Sequence, residues 1–241
     1  MNVRSLSEVL VRTSADGTGP IHHGSAAGRV YAKLRGLIIS LDLPPDTVLS
    51  RADLAREHEV SQSPVREAIQ ELEKEGLVIS FPQSKTVVSK IDIEHARDTQ
   101  FLRLGVELEV ARTLASTSSA ELLLPTSRIL RMQKMAGEDQ DIAEFTALDR
   151  LFHLSLFEAA GVPSLWHLIA GRSGHIDRLR MLNLPDPGKM SQVLASHEKI
   201  LSAISNSDLA AAEQSVRHHL TGTLASANAI RDAHPAYFAR Q

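Results

Sequence analysis

LAREHEVSQSPVREAIQELEKEGLV, residues 54–78, decides the fold of the first part of this 241-residue chain. A short helical pattern, RADLAREHE, stops at Val60, and Ser61 opens a second helix. Pro64 falls in the first turn of that helix, where a missing N–H costs little. Val65, Ala68, Ile69 and Leu72 recur at helical spacing as one apolar stripe, with Arg66, Gln70 and Glu73 off it. Gly76 ends the helix, because glycine enters the left-handed C-cap conformation without a Cβ penalty. Two helices across a tight turn, the second polar at its start, have the layout of a helix-turn-helix.

The flanks complete the module. Downstream, the β-branched runs LVISF and TVVSK around PQSK predict a small hairpin, the wing of a winged helix-turn-helix. Upstream, Val30, Leu34, Leu37 and Ile38 predict a helix starting near Ala26 and ending before LDLPPD. Ser50 is the expected N-cap of the short helix, with Asp53 placed to bond back to it.

Such a module reads DNA through the start of its second helix. Ser61, Gln62 and Ser63 sit there, and a glutamine amide matches the donor–acceptor edge of adenine. Arg66 reaches a phosphate or guanine; Arg35, Arg51 and Arg56 are expected backbone contacts, and Lys85 a contact from the wing. Residues 26–90 hold nine basic and nine acidic side chains, so any DNA-binding face comes from placement and not from net charge. A small helical fold with a solvated charged face is the alternative.

Residues 1–25 read as a flexible arm containing His22-His23, a pair that is either a metal ligand set or two exposed linker side chains. From Asp92 to about residue 232 no strand pattern occurs. Six helical segments are expected, at about 92–117, 119–136, 140–160, 162–183, 188–205 and 207–232, followed by a tail over 233–241. Short connections favour antiparallel neighbours. The expected architecture is therefore an α+β winged helix-turn-helix over 26–90 and an all-α antiparallel bundle over 91–232.

Composition narrows the chemistry. The chain has no cysteine, which excludes disulfides, thiol nucleophiles and cysteine metal sites. It has no apolar run of membrane-spanning length and no apolar leader, so a cytoplasmic protein without a membrane partner is expected. Any metal site must use histidine and carboxylate.

Eight of the 11 histidines lie beyond residue 90. Asp149 and His153 are four apart and share one helix face. His197 and His219 lie on two other expected helices, each beside an apolar stripe, whereas His218 points about 100° away from His219. Each histidine alone reads as a satisfied core residue. Together they also read as a shared divalent site, and three nitrogens with one oxygen suit zinc or nickel over calcium or magnesium.

The residues also resemble a known family. VYAKLRGLIISLDLPPDTVLSRADLAREHEVSQSPVREAIQELEKEGLV resembles the N-terminal domain of the GntR family of bacterial transcription regulators, over residues 26–90. The resemblance implies a homodimer on a palindromic operator, with Arg35, Arg56 and Arg66 near DNA. The chain departs from the family in having Gln62 where arginine is common, Pro45-Asp46 where Pro-Gly is common, and Ser84 or Lys85 where the wing usually has glycine. Arg103-Leu-Gly-Val-Glu107, Asp149-x-x-x-His153, His197 and His219 resemble the C-terminal ligand domain of the FadR-type branch, and six helices its VanR-type subgroup. That resemblance implies a metal held by Asp149, His153, His197 and His219. It also implies a small organic acid effector and repression of genes for uptake or catabolism of that acid. Arg103 is then the expected partner of the effector carboxylate, with Arg178 and Arg180 as weaker candidates that read equally as solvating a helix face. Val162 stands where many members have asparagine.

Two other readings start from the same residues. A metal with an open position could activate water in an enzyme. Glu107 is the nearest base, however, and pairs equally well with Arg103, and a hydrolase has no use for a winged helix. The third reading is a regulator whose input is the metal itself.

Overall fold

A computed structural model describes residues 24–82, 84–117, 119–186 and 188–239; the arm with His22-His23 lies outside them. The chain divides into two compact units, Met1–Lys90 and Ile91–Gln241.

In the first unit α1 spans Ala26–Ile39, α2 Arg51–Glu57 and α3 Gln62–Lys74. The starts of α1 and α2 have a local cause. Ser25 accepts from Gly28 N at 3.0 Å, and Ser50 accepts from Asp53 N at 3.3 Å. Gly76, at φ 72°, closes α3 with Gly76 N bonded to Glu73 O and Leu77 N to Leu72 O. Val30, Leu34 and Ile38 of α1 meet Val65, Ala68, Ile69 and Leu72 of α3 in one core. The wing consists of β2 (Val78–Ser80) and β3 (Thr86–Val88), antiparallel with Ile79 opposite Val87. Sequence reading missed β1 (Val48–Leu49), which pairs with the outer side of β3 to give the order β1-β3-β2. Two residues are too short to show alternation; only the ladder partner defines them. Asp46 takes φ 69° ahead of β1 and donates its N–H to Val88 O at 2.9 Å. The departure from Pro-Gly therefore keeps the left-handed turn, which aspartate tolerates better than most residues.

Glu75, at the end of α3, ties the helices together. It receives the Tyr31 hydroxyl and, at 2.8 Å, Arg35 Nε, both from α1.

The second unit is all-helical among the described residues: α4 Ile93–Thr117, α5 Leu124–Glu138, α6 Ile142–Ala159, α7 Pro163–Ala170, α8 Gly174–Asn183, α9 Lys189–Ser205, α10 Leu209–Ala225 and α11 Ala227–Ala233. That makes eight helices where six segments were expected. The expected segment 162–183 breaks at Gly171–Ser173, and 207–232 breaks at Ser226. Neither break carries a proline, so the apolar period runs through both. Within the tail, one side chain is anchored. Phe238 is 5% exposed and bridges Ile91, and Ile91 N donates to Tyr237 O at 2.8 Å.

α4 packs along α10, α5 along α6, and α9 along α10. α6 sits deepest, burying Phe145, Leu148, Leu151, Phe152, Leu154, Leu156 and Phe157. A helix apolar on nearly every side belongs in the interior, and it carries its polar residues in with it. No described helix is long and apolar enough to cross a membrane.

Replacing Glu75 with Ala removes the carboxylate that Tyr31 and Arg35 of α1 share at the end of α3. Loss of a largely buried pair partner costs on the order of 3 kcal/mol. Denaturant unfolding of the full chain should show the first unit losing about that much, and an unchanged midpoint would refute the role of Glu75.

Candidate functional site

The winged unit presents Ser61, Gln62, Ser63 and Arg66 as exposed residues at the start of α3. The Ser61 side chain makes no capping bond, so the first amides of α3 are unclaimed by it. Ser63 Oγ lies 3.4 Å from Glu67 Oε1. Arg51 is exposed at the start of α2. Arg56 is exposed and ion-paired with Asp53 one turn earlier, and with Ser61 and Gln62 it lines an open groove between α2 and α3. Lys85 is exposed on the wing, where its carbonyl accepts from Phe81 N at 2.8 Å. Arg35 differs from the rest: it lies against Glu75 and holds α1 to α3.

In the second unit α6 brings in Asp149 and His153, α9 brings His197 and α10 His219. One ligand atom from each of the four lies within 4.8 Å of every other. His153 Nε2 is 3.1 Å from His219 Nε2, which is 3.3 Å from His197 Nε2. Asp149 Oδ1 is 3.5 Å from His197 Nε2. Asp149, His153 and His197 are buried and His219 is half-buried.

Outer partners set which ring nitrogens face the centre. His153 Nδ1 lies 2.8 Å from Glu107 Oε2, and His197 Nδ1 lies 2.8 Å from Gln133 Oε1. Burial pushes the Glu107 carboxyl up, but Arg103 and then His153 outweigh it and hold it at about 2. An ionised carboxylate and an amide oxygen only accept, so hydrogen on both Nδ1 atoms suits these neighbours, the Glu107 contact being an ion-pair distance without hydrogen-bond geometry; in that tautomer both Nε2 atoms point lone pairs inward. His219 has at most one Nε2 proton to offer, which leaves one inward lone pair unmatched. A cation at the centre would match all of them, so the donor set fits a divalent metal. Burial first, and then neighbouring imidazoles, keep His219 well below its usual pKa. Burial lowers His197 to about 3, against the opposing pull of Asp149. Burial raises Asp149, but Arg180 followed by His153 and His197 leaves it below the usual carboxylate range. His197 and His219 are thus neutral and Asp149 ionised at neutral pH, the states in which they ligate.

The three expected effector arginines separate. Arg103 is 3% exposed in its side chain, donates Nε to Glu107 Oε1 at 2.7 Å and lies 5.7 Å over the Trp166 ring. Its Nη2 is buried without a hydrogen-bond partner among the described residues. Arg180 grips Asp149 with Nη1–Oδ2 at 2.9 Å and Nη2–Oδ1 at 3.2 Å. Arg178 is fully buried, with Nη2 2.9 Å from His175 Nδ1, so it does not solvate a helix face. Phe152 stacks on His197 and Trp166 on His153, walling the site with rings. Sequence reading left Gln133, Trp166 and the Arg180–Asp149 pair unassigned. A lone buried polar residue on an apolar face, as Gln133 is, was the one available signal.

Comparison with known proteins agrees with this architecture. Residues 26–88 match the model of bacterial regulatory proteins of the gntR family, and residues 98–222 match the FCD domain. An uncharacterised HTH-type transcriptional regulator in an unstable DNA locus of Streptomyces ambofaciens is 35% identical over 212 residues, 87% of this chain and 88% of that protein. The gluconate operon transcriptional repressor of Bacillus subtilis is 28% identical over 200 residues, 81% of this chain and 82% of that one. The solved structure of Escherichia coli McbR/YncC superposes with a TM-score of 0.72 at 18% identity, over 85% of this chain and 98% of that one, which is likeness of fold.

The buried imidazoles predict a pH dependence for the metal-free protein. The unfolded chain protonates them below about pH 6.5, whereas folded His197 resists protonation down to about 3. Stability is therefore full above about 6.5 and falls as the pH drops below it. Thermal unfolding of metal-stripped protein should show a Tm that declines from pH 7.5 to 5.5; a flat or rising Tm would contradict neutral burial.

Proposed function

The chain belongs to the gntR family of bacterial transcription regulators and carries an FCD domain, and from this premise we propose that it represses genes for the uptake or catabolism of a small organic acid. It is a DNA-binding regulator and not an enzyme, as its family and its two-part architecture indicate. The proposed operator is palindromic and the proposed active form a homodimer, because one recognition helix offers few base contacts and two-fold symmetry doubles them.

On the DNA side, Gln62 is proposed to read a base edge, and Ser61, Ser63, Arg66, Arg51, Arg56 and Lys85 to hold phosphates. Arg35 contributes by fixing α1 against α3.

The observation that carries the effector reading is the buried, unpartnered Nη2 of Arg103 on the same side chain that orders His153 through Glu107. A buried donor without an acceptor is costly, and a carboxylate would supply the missing partner as a charge-assisted bond. Asp149, His153, His197 and His219 are the residues that would hold zinc or nickel, and such an ion supplies positive charge and a coordination position for an acidic ligand. Glu107 keeps Arg103 aimed, Gln133 keeps His197 aimed, and Trp166 and Phe152 keep water from the rings. The FadR-type ligand set of the resembled branch, the organic-acid input and release of DNA by that acid are parts of this proposal. The name of the Bacillus subtilis relative, a gluconate operon repressor, supports an acidic metabolite as input.

Arg103→Lys keeps a positive charge beside Glu107 and removes the guanidinium fork. Calorimetry of the zinc-loaded protein against lactate, gluconate and citrate should find an acid that binds the wild type about 10- to 100-fold more tightly than the variant, the worth of one charge-assisted bond. Equal affinities would make Arg103 purely structural. For DNA, Arg66→Ala should weaken binding on every sequence alike and lower the salt slope by about one unit. A loss confined to one sequence would place Arg66 on a base edge.

A further inference from the structure

Helix α8 touches both the ligand cluster and the start of the second unit. At the cluster, Asp149 and Arg150 are neighbours on α6 and pair with Arg180 and Asp177 of α8. Arg180 holds both Asp149 oxygens, at 2.9 and 3.2 Å, and Arg150 Nη1 holds Asp177 Oδ2 at 2.9 Å. Each helix thus contributes one acid and one base to the contact. At the other end, His175 Nδ1 accepts the backbone N–H of Asp92 at 3.0 Å and lies 2.9 Å from Arg178 Nη2, so the two donors share one ring nitrogen. Asp92 is the second residue of the unit that follows the DNA-binding module. Its neighbour Ile91 donates to Tyr237 O at 2.8 Å, so the junction is held by backbone hydrogen bonds on two successive residues.

We propose that α8 carries the state of the Asp149 cluster to the chain junction, with Arg180 as the positioning residue at the cluster and His175 as the positioning residue at Asp92. The proposal rests on the reading of that cluster as a ligand site. Its physical basis is competition for one carboxylate. A cation taken up by Asp149 draws on the oxygens that Arg180 holds and repels the guanidinium, so the grip on α8 changes when the cluster fills. Eight of the ten residues of α8 are buried, so the helix cannot absorb that change by local bending and passes it along its length. His175 and Arg180 are five residues apart, about 7.5 Å along the axis. A shift of α8 at Arg180 therefore alters the His175–Asp92 bond. The acid, bound beside the cation, would act through the same helix, provided the two arrangements of α8 differ in their affinity for it. Helix α4 is the competing route, since it begins at Ile93 and carries Glu107 to His153.

The test is the amide resonance of Asp92 in full-length, metal-stripped protein titrated with zinc. Amide shifts report hydrogen-bond geometry and do not follow overall stability. In the wild type the Asp92 resonance should move in step with zinc binding. In Arg180→Met at zinc saturation the movement should fall to less than about a third of the wild-type value. His175→Asn offers an oxygen acceptor near Nδ1 and should keep the response, whereas His175→Phe should abolish it. The His175 pair tests the proposal even if Arg180→Met fails to fold. Zinc binding with a still Asp92 amide, or an equal response in Arg180→Met or in His175→Phe, would overturn α8 as the carrier and favour α4. Failure to bind zinc at all would overturn the ligand-site reading and this proposal with it.

Discussion

Burying three imidazoles and a carboxylate at the centre of a helical bundle is the constraint on which the second unit turns. Polar groups taken from water must find partners or the fold loses their solvation. Here three of the four ligands have an outer neighbour: Glu107 for His153, Gln133 for His197, Arg180 for Asp149. Those neighbours come from α4, α5 and α8, so the cluster knits together helices that are far apart in sequence. What the neighbours leave unsatisfied is informative. Two lone pairs face inward against at most one proton, and one guanidinium nitrogen has no acceptor. The first deficit calls for a cation and the second for an anion.

The DNA-binding unit is governed by a simpler rule. Its core is continuous between α1 and α3, and the Glu75 contacts with Tyr31 and Arg35 lock that pair. With the scaffold rigid, the start of α3 and the wing are free to be polar and exposed. The unit is electrically neutral overall, yet Arg51, Arg56, Arg66 and Lys85 are all exposed while Arg35 and Glu75 cancel inside. Placement does what net charge does not.

Much of this was legible in the sequence because it depends on local rules. Period, caps and breakers located α3, Gly76 and the wing, and the Asp149–His153 spacing fell on one helix face. Other features depend on partners distant in the chain. β1 exists only through its pairing with β3, and the packed C-terminus only through Ile91 and the burial of Phe238. The breaks at Gly171–Ser173 and Ser226 lacked a proline, so the segments around them read as single helices. Arg178 looked like a surface residue because charge argues for exposure, and a buried bond to His175 overrides that expectation. Gln133 announced itself only as a lone polar residue on an apolar face, since its role depends on a histidine 64 residues away.

In the proposed switch an acid, bound beside the cation, loosens the grip on DNA. Fluorescence anisotropy of the protein on a selected operator, at fixed saturating zinc, measures this while lactate, gluconate or citrate is titrated. At least one small carboxylate should dissociate the complex with the metal still bound. A complex indifferent to every acid, yet sensitive to chelation or to added metal, would contradict it and make the metal itself the signal.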